Sequence, residues 1–303
     1  MSSPVRIGVV VHPSRAIERP LRTLREWTEA ASVDLVQVPA PCYQQQVAEQ
    51  GDPGECDLIV SIGGDGTTLA AIRAGAGADR PVLGVACGSL GVLTTVVADD
   101  LGPALERFSE GDWNPHPLPA LDIARDQGEP LFALNDISIV RSGEGQVRVR
   151  AQIDGITYAR FAGDGCIVST PVGSSAYAFA AGGPLLMHQA PAFLLTPLSV
   201  HGGCCPPLVI GAGSQLELET TAGHGGARVE LDGQVEDRHT GLLKISLREA
   251  AATVVAFSGQ EPFISRLRER RVIIDSPRIL ADEDRRPGAD PGEGRPGRGP
   301  SGE

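Results

Sequence analysis

Short apolar runs alternate with helical stretches through the first third of the chain. Ile7 to Val11 and Val33 to Val38 are compact and rich in β-branched residues, while Leu21, Leu24, Trp27 and Ala31 between them recur at helical spacing. Leu58 to Ile62 and Val82 to Val85 are further apolar runs, each followed by glycines. Runs of this length predict buried strands, and their alternation with helices predicts a parallel sheet covered by helices. Ligands of such sheets bind outside the carboxyl ends of the strands, so chemistry is expected in the loops after Val11, Ile62 and Val85.

After about Leu121 the period becomes two. Val147-Arg148-Val149-Arg150 and Leu216-Glu217-Leu218 alternate, with turn signals at Gly128, Gly143 and Asp154-Gly155. This pattern predicts a β-rich sandwich of antiparallel strands ending near Phe257. Phe263 to Arg268 reads as a short helix that returns to the first domain. From Asp275 onward the chain is rich in Pro, Gly and charge, cannot offset its ordering entropy by burial, and reads as a disordered tail. The expected organisation is an α/β phosphate-binding domain over 1–121, a β-rich substrate domain over 122–257, a returning helical segment over 258–274 and the tail over 275–303.

Composition narrows the class. A hydrophobic fraction of 41% in 303 residues can fill real cores. A formal net charge of -12 argues against a nucleic-acid partner, because phosphate backbones need a positive counter-surface. The polar start, Met1 to Arg6, lacks a signal core, and no apolar run is long enough to span a bilayer, so neither export nor a membrane is expected. The six cysteines form no C-x-x-C pair. Reduced thiols and a cytoplasmic location are the expectation.

Four segments carry candidate chemistry. The first is Gly63-Gly64-Asp65-Gly66-Thr67, set between a predicted strand and a helix through Leu69 and Ile72. Glycines let backbone amides approach phosphate oxygens, and the helix start offers unpaired N–H groups. Asp65 can accept a proton from an attacking hydroxyl, help place a metal ion, or merely cap the helix. The second segment runs from Gly84 to Thr94, the third is Leu134-Asn135-Asp136, and the fourth is Gly163-Asp164-Gly165 through Thr170-Pro171-Val172-Gly173-Ser174-Ser175-Ala176-Tyr177 to Gly183-Pro184. Taken alone, Asn135-Asp136 equally suits an Asx turn, Tyr177 a core aromatic, His201 a structural histidine, and Asp232-Gly233 a tight hairpin turn.

Together with Thr196-Pro197, His201 and Asp232-Gly233-Gln234, these motifs stand in the order found in NAD kinases, which the chain resembles from about Val5 to Arg271. The resemblance implies a Rossmann-like α/β N-terminal domain, a β-rich C-terminal domain that completes the substrate site, and a homodimer or homotetramer. It also implies ATP as phosphate donor with a divalent metal, Mg2+ by expectation, and NAD or a related nucleotide as acceptor. Carried over by position, Asp65 is the catalytic base or orienting group at the acceptor 2′-hydroxyl. Gly63, Gly64, Gly66 and Thr67 cradle phosphates. Asn135 and Asp136 bind acceptor hydroxyls, Asp164, Ser175, Ala176 and Tyr177 line the acceptor pocket partly across a subunit boundary, and His201 lies near the phosphates.

Five positions depart from the family pattern. Ala86 replaces an Asn, Val92 a Phe, Pro206 an Arg, and Val172 a Thr or Ser, while Asp136 is one methylene shorter than the usual Glu. These changes leave the phosphoryl-transfer loop intact and bear on the acceptor. A kinase of the same machinery acting on another nucleotide or nucleoside is therefore the alternative. A silent NAD(P)-binding regulator is a third reading, opposed by the intact Asp65 loop.

Overall fold

The computed structural model describes residues 4–13, 17–40, 44–88, 90–126, 128–237 and 241–283. The α/β portion runs β1 (Arg6–Val11), α1 (Glu18–Ala31), β2 (Asp34–Gln37), β3 (Leu58–Gly63), α2 (Asp65–Ala78), β4 (Val82–Ala86), β5 (Val96–Val97) and α3 (Leu101–Glu110). Strands β2, β1, β3 and β4 pair in that order, all parallel, as their β-branched runs predict.

Because successive side chains leave a strand on opposite faces, each central strand serves two cores. Ile7, Val9, Val60, Ile62, Leu83 and Val85 meet Leu21 and Leu24 of α1 and Leu101, Leu105 and Phe108 of α3. Val10, Ile59 and Val82 belong to the other core with Ala71 and Ile72 of α2. The carboxyl ends of β3 and β4 are thereby fixed side by side, with Gly63 in register with Ala86.

The chain continues as β6 (Asn114–Arg125), β7 (Leu131–Ala133), β8 (Asp136–Arg141), β9 (Val147–Ile153), β10 (Ile156–Gly163), β11 (Gly165–Ser169), α4 (Tyr177–Ala180), β12 (Ala192–Leu198), β13 (Leu208–Gly211), β14 (Leu216–Ala222), β15 (Ala227–Leu231), β16 (Gln234–Asp237) and β17 (Leu242–Ala256). One antiparallel sheet is ordered β13-β12-β11-β8-β15-β16. It faces β10, β9, β14, β17 and β6 across a core that includes Ile137, Val149, Val168, Phe193, Leu218, Val229 and Ile245. The predicted turn Asp154-Gly155 joins β9 to β10 with both residues at positive φ, the geometry of a two-residue hairpin.

Strand β6 crosses the expected boundary at residue 121. It carries Pro115, Pro117 and Pro119, which look like a break. Their spacing of two places all three missing N–H groups on one side of the strand, so pairing with β17 on the other side survives. β17 in turn pairs with β14, with β6 and with β4, which joins the α/β and β-rich parts in one sheet.

Residues Met1–Gln260 form one compact unit and Glu261–Glu303 a second. The second contains α5 (Phe263–Glu269), the short helix expected there, and α6 (Pro277–Glu283). α6 lies inside the stretch expected to be a structureless tail. Its sequence, Pro-Arg-Ile-Leu-Ala-Asp-Glu, starts with Pro at a helix-compatible position and continues with good helix formers. The remainder of that expected tail, 284–303, lies outside the described residues, as does Cys42.

Among the described residues, no helix is long and apolar enough to cross a membrane. Cys56, Cys166, Cys204 and Cys205 are free thiols. Burial pushes the Cys56 thiol up to about 11 and that of Cys166 to about 12, so neither is a nucleophile at neutral pH.

Candidate functional site

The Gly-Gly-Asp-Gly-Thr loop closes the turn from β3 into α2. Gly63 is the last residue of the strand, Gly64 the extended N-cap, and Asp65 the first helical residue, at the positive end of the helix dipole. The Asp65 carboxylate reaches the second loop, where Oδ2 accepts from the Val92 amide at 3.1 Å and Oδ1 from the Leu93 amide at 2.9 Å. A Cβ at position 91 would fall 2.0 Å from Asp65 Oδ1, so only glycine allows this approach. The Gly91 amide donates to Thr94 Oγ1 at 2.6 Å, which folds the loop back on itself. A carboxylate oxygen accepts more than one hydrogen bond, so this grip is compatible with a proton or cation at the same group. Gly66 is exposed at the loop, whereas Thr67 is buried beneath it. Ser89 of the second loop lies outside the described residues.

Asn135 and Asp136 sit where β8 begins, and a second carboxylate holds them. Asp232 accepts from the amides of Leu134 at 3.1 Å, Asn135 at 2.7 Å and Asp136 at 3.2 Å, and from Arg73 Nη1 at 2.9 Å. Asp232-Gly233 is indeed the β15–β16 hairpin turn, with both residues at positive φ. The Asn135 carbonyl accepts from the Thr170 amide at 2.9 Å, and a Cβ at position 173 would lie 1.9 Å from that same oxygen. Gly173 thus lets the fourth segment lie against the third. Leu93, Leu134 and Val172 belong to one buried cluster, which explains an apolar residue at position 172 and ties three of the four segments together.

The side chains so positioned are left with unmet hydrogen-bonding capacity. Asn135 Oδ1 is buried with no partner. Asp136 is 5% exposed, and burial, with Asp232 and Glu230 adding like charge, raises its carboxyl to about 7. Ser169, in register with Asp136 on the neighbouring strand, likewise has a buried hydroxyl with no partner.

The other expected site residues group differently. Asp164 and Tyr177 share a cavity of about 260 Å³ with Arg141, Ser199 and Arg228. Arg141 Nε donates to Asp164 Oδ1 at 2.6 Å and holds that carboxyl below its usual range, assisted by Ser199 and opposed by partial desolvation. Tyr177 is 41% exposed and is not a core aromatic. Ser175 Oγ donates to the Val172 carbonyl at 3.1 Å, and Ala176 is exposed. His201 is exposed and contacts Gln146 through Nδ1; it lines a separate cavity with Arg148, Arg150 and Arg160. Pro206 is exposed and offers its carbonyl to Tyr158 at 2.7 Å.

Sequence reasoning did not reach Arg73, Arg141 or the inward-facing role of Asp232. The Asp-Gly turn was a usable signal for the last, whereas each arginine resembles any solvated helix or strand residue until its partner is known.

Residues 7–113 match the ATP-NAD kinase N-terminal domain and residues 134–257 the ATP-NAD kinase C-terminal domain. An NAD kinase of Heliobacterium modesticaldum is 36% identical over 245 residues, which is 75% of this chain and 84% of that protein. One from Gemmatimonas aurantiaca is 31% identical over 282 residues, 88% of this chain and 95% of that one. A yeast NADH kinase solved with NADH shares the fold at a TM-score of 0.76 and 19% identity, covering 91% of this chain and 90% of that one. An Archaeoglobus fulgidus NAD kinase solved with ATP gives a TM-score of 0.68 at 25% identity, covering 89% of this chain and 100% of that one. Because the two matched spans take in every loop described above, the chain belongs to the NAD kinase family.

Proposed function

We infer that the chain is an ATP-dependent NAD kinase, which transfers the γ-phosphoryl group of ATP to the 2′-hydroxyl of the adenosine ribose of NAD or NADH. One observation carries the acceptor side: Asn135 Oδ1 is a buried acceptor with no partner beside the nearly dry carboxyl of Asp136. Such groups cost free energy until a donor reaches them, and ribose hydroxyls are donors. Asp65, at the start of α2, orients the attacking hydroxyl and accepts its proton as the oxygen–phosphorus bond forms and ADP leaves. Gly63, Gly64, Gly66 and Thr67 present the helix start to phosphate oxygens. Asp164, Ser175, Ala176 and Tyr177 hold the remainder of the acceptor, and His201, lining its own cavity but near enough to Asp164 to lower that carboxyl, stands at its phosphate end.

Among the described residues, no group of three or more His, Cys, Asp or Glu side chains could hold a metal ion. A magnesium ion fits this chain as a companion of the nucleotide phosphates, with Asp65 the carboxylate at that loop, and when bound it neutralises developing charge on those phosphates. Exposed Tyr177, Phe179 and Met187 favour a homo-oligomer in which a second copy covers the acceptor pocket. A cytoplasmic location fits the free thiols.

A second reading rests on Val92, which is half-buried in the loop that Asp65 grips and offers no aromatic ring to a base. It keeps the chemistry and changes the acceptor to a differently shaped nucleotide. Incubation with ATP, magnesium and a panel of NAD, NADH and adenine and pyrimidine nucleotides, followed by mass analysis of the products, tests both. A phosphorylated dinucleotide supports the first reading, a phosphorylated mononucleotide alone the second, and no transfer to any acceptor refutes both.

A further inference from the structure

Arg73 is not among the residues carried over from the resemblance, and Asp232 enters it only through the Asp232-Gly233-Gln234 motif, yet the two are paired with each other and Asp232 holds the Leu134–Asp136 segment. The Asp232 side chain is 6% exposed and that of Arg73 22%. All four side-chain partners of Asp232 lie far away in sequence, between 96 and 159 positions. A hairpin turn needs nothing of the kind: an Asp-Gly pair makes the turn through its own backbone preferences. The carboxylate is instead turned away from its own turn and gathers three successive amides, Leu134 to Asp136, into an anion nest whose anion is built in. The return bond, from the Asp232 amide to the Asp136 carbonyl at 2.9 Å, fixes the same segment from its other side.

Arg73 makes this arrangement sustainable. Its guanidinium lies 4.8 Å from the centre of the Phe132 ring and supplies the cation that a dry carboxylate needs. It is also placed on α2, the helix whose first residue is Asp65. The same helix therefore meets the phosphoryl-transfer loop at its start and the Asn135-Asp136 segment two turns later.

We propose that Arg73 and Asp232 are a positioning pair for the acceptor, which locks the backbone of Leu134–Asp136 to helix α2 and so holds Asn135 and Asp136 ready to bind the ribose. This rests on the reading of Asn135 and Asp136 as acceptor-binding residues. Neither Arg73 nor Asp232 touches substrate; both act through the segment they hold. Their loss is felt in acceptor binding, while the ATP side and the Asp65 loop are left in place.

Steady-state kinetics of Arg73→Gln, Arg73→Lys, Asp232→Asn, Asn135→Ala and the double variant Arg73→Gln/Asn135→Ala test this. In Arg73→Gln and Asp232→Asn the KM for NAD rises about tenfold, while kcat and the KM for ATP stay within about twofold. Arg73→Lys, which keeps the cation, restores the KM for NAD to within about threefold of the parent. The double variant is no worse than Asn135→Ala alone by more than about twofold, because both changes act at one place. An unaltered KM for NAD in folded Arg73→Gln, equal losses on the ATP side, or multiplicative effects in the double variant overturn the proposal. Should Arg73→Gln yield no soluble protein, Asp232→Asn, nearly isosteric, carries the same expectation and the same refutation. If Asn135→Ala itself leaves the KM for NAD unaltered, the acceptor reading falls and the proposal with it. If Asn135→Ala raises it and Arg73→Gln does not, the proposal alone falls.

Discussion

Replacing Asp136 by asparagine should stabilise the ligand-free protein at neutral and alkaline pH, with a gain that grows as pH rises. The Asp136 carboxyl stands at about 7 in the fold against an ordinary 3.8, because burial and the neighbouring charges of Asp232 and Glu230 disfavour its ionised form. The unfolded chain releases this proton near pH 4 and the native chain holds it until about pH 7. Over that interval the native state binds more protons, so stability falls as pH rises, and above it the cost is constant. About three pKa units correspond to a ceiling on the order of 4 kcal/mol, of which roughly 2–3 kcal/mol accrues between pH 5 and pH 8. A side-chain amide does not ionise and escapes this cost. Thermal melts of both proteins without substrate should show a Tm difference that shifts in favour of Asp136→Asn by about 5–10 °C between pH 5 and pH 8, at roughly 2–4 °C per kcal/mol. A difference that stays constant over that range, or that grows toward acid pH, refutes the assignment of a buried, neutral-leaning carboxyl at this position.

Further outcomes follow from the same contacts. Asp65→Asn should lower kcat by about 10²–10⁴, since proton acceptance is lost, while circular dichroism and gel filtration remain those of the parent; undiminished turnover in a folded variant refutes the catalytic role. Gly173→Ala places a methyl group 1.9 Å from the Asn135 carbonyl oxygen, and should cost about 1–3 kcal/mol in chemical denaturation with a raised KM for NAD. An unchanged midpoint and KM would show that the two segments do not meet. Val92→Phe at this half-buried position should lower the KM for NAD by about 2–10-fold through added stacking, with kcat little changed. No change in a folded variant would mean that residue 92 does not face the acceptor.

The α/β portion was legible because its strands are buried on both faces, so Ile7 to Val11 and Leu58 to Ile62 stand out as apolar runs, interrupted only by Gly8 and Ser61, between Gly, Asp and helical periodicity. The sandwich was legible for the opposite reason: one face of each strand meets the core and the sequence alternates, as in Val147 to Arg150. Less visible was what happens between distant segments. Asp232 announces a turn but not the three amides that its carboxylate gathers, and Asp65 announces a helix start but not its grip on Val92 and Leu93. Both depend on long-range contacts that leave no local period. β6 was hidden by its three prolines, and α6 by the composition of the segment around it. Asp164 and Tyr177 could be grouped from the motif, whereas the cavity that brings them together with Arg141 and Arg228 required the fold.

The most direct test of the account is the position of the phosphate on the product formed from NAD, ATP and magnesium. Isolated product should carry one added phosphate, and tandem mass fragmentation with phosphorus NMR should place it as a monoester on the 2′-oxygen of the adenosine ribose. The proposed binding of the ribose by Asn135 and Asp136, with Asp65 as its base, predicts that single regioisomer. Phosphate found on any other hydroxyl, or dinucleotide recovered unmodified from folded protein under saturating ATP, would contradict it.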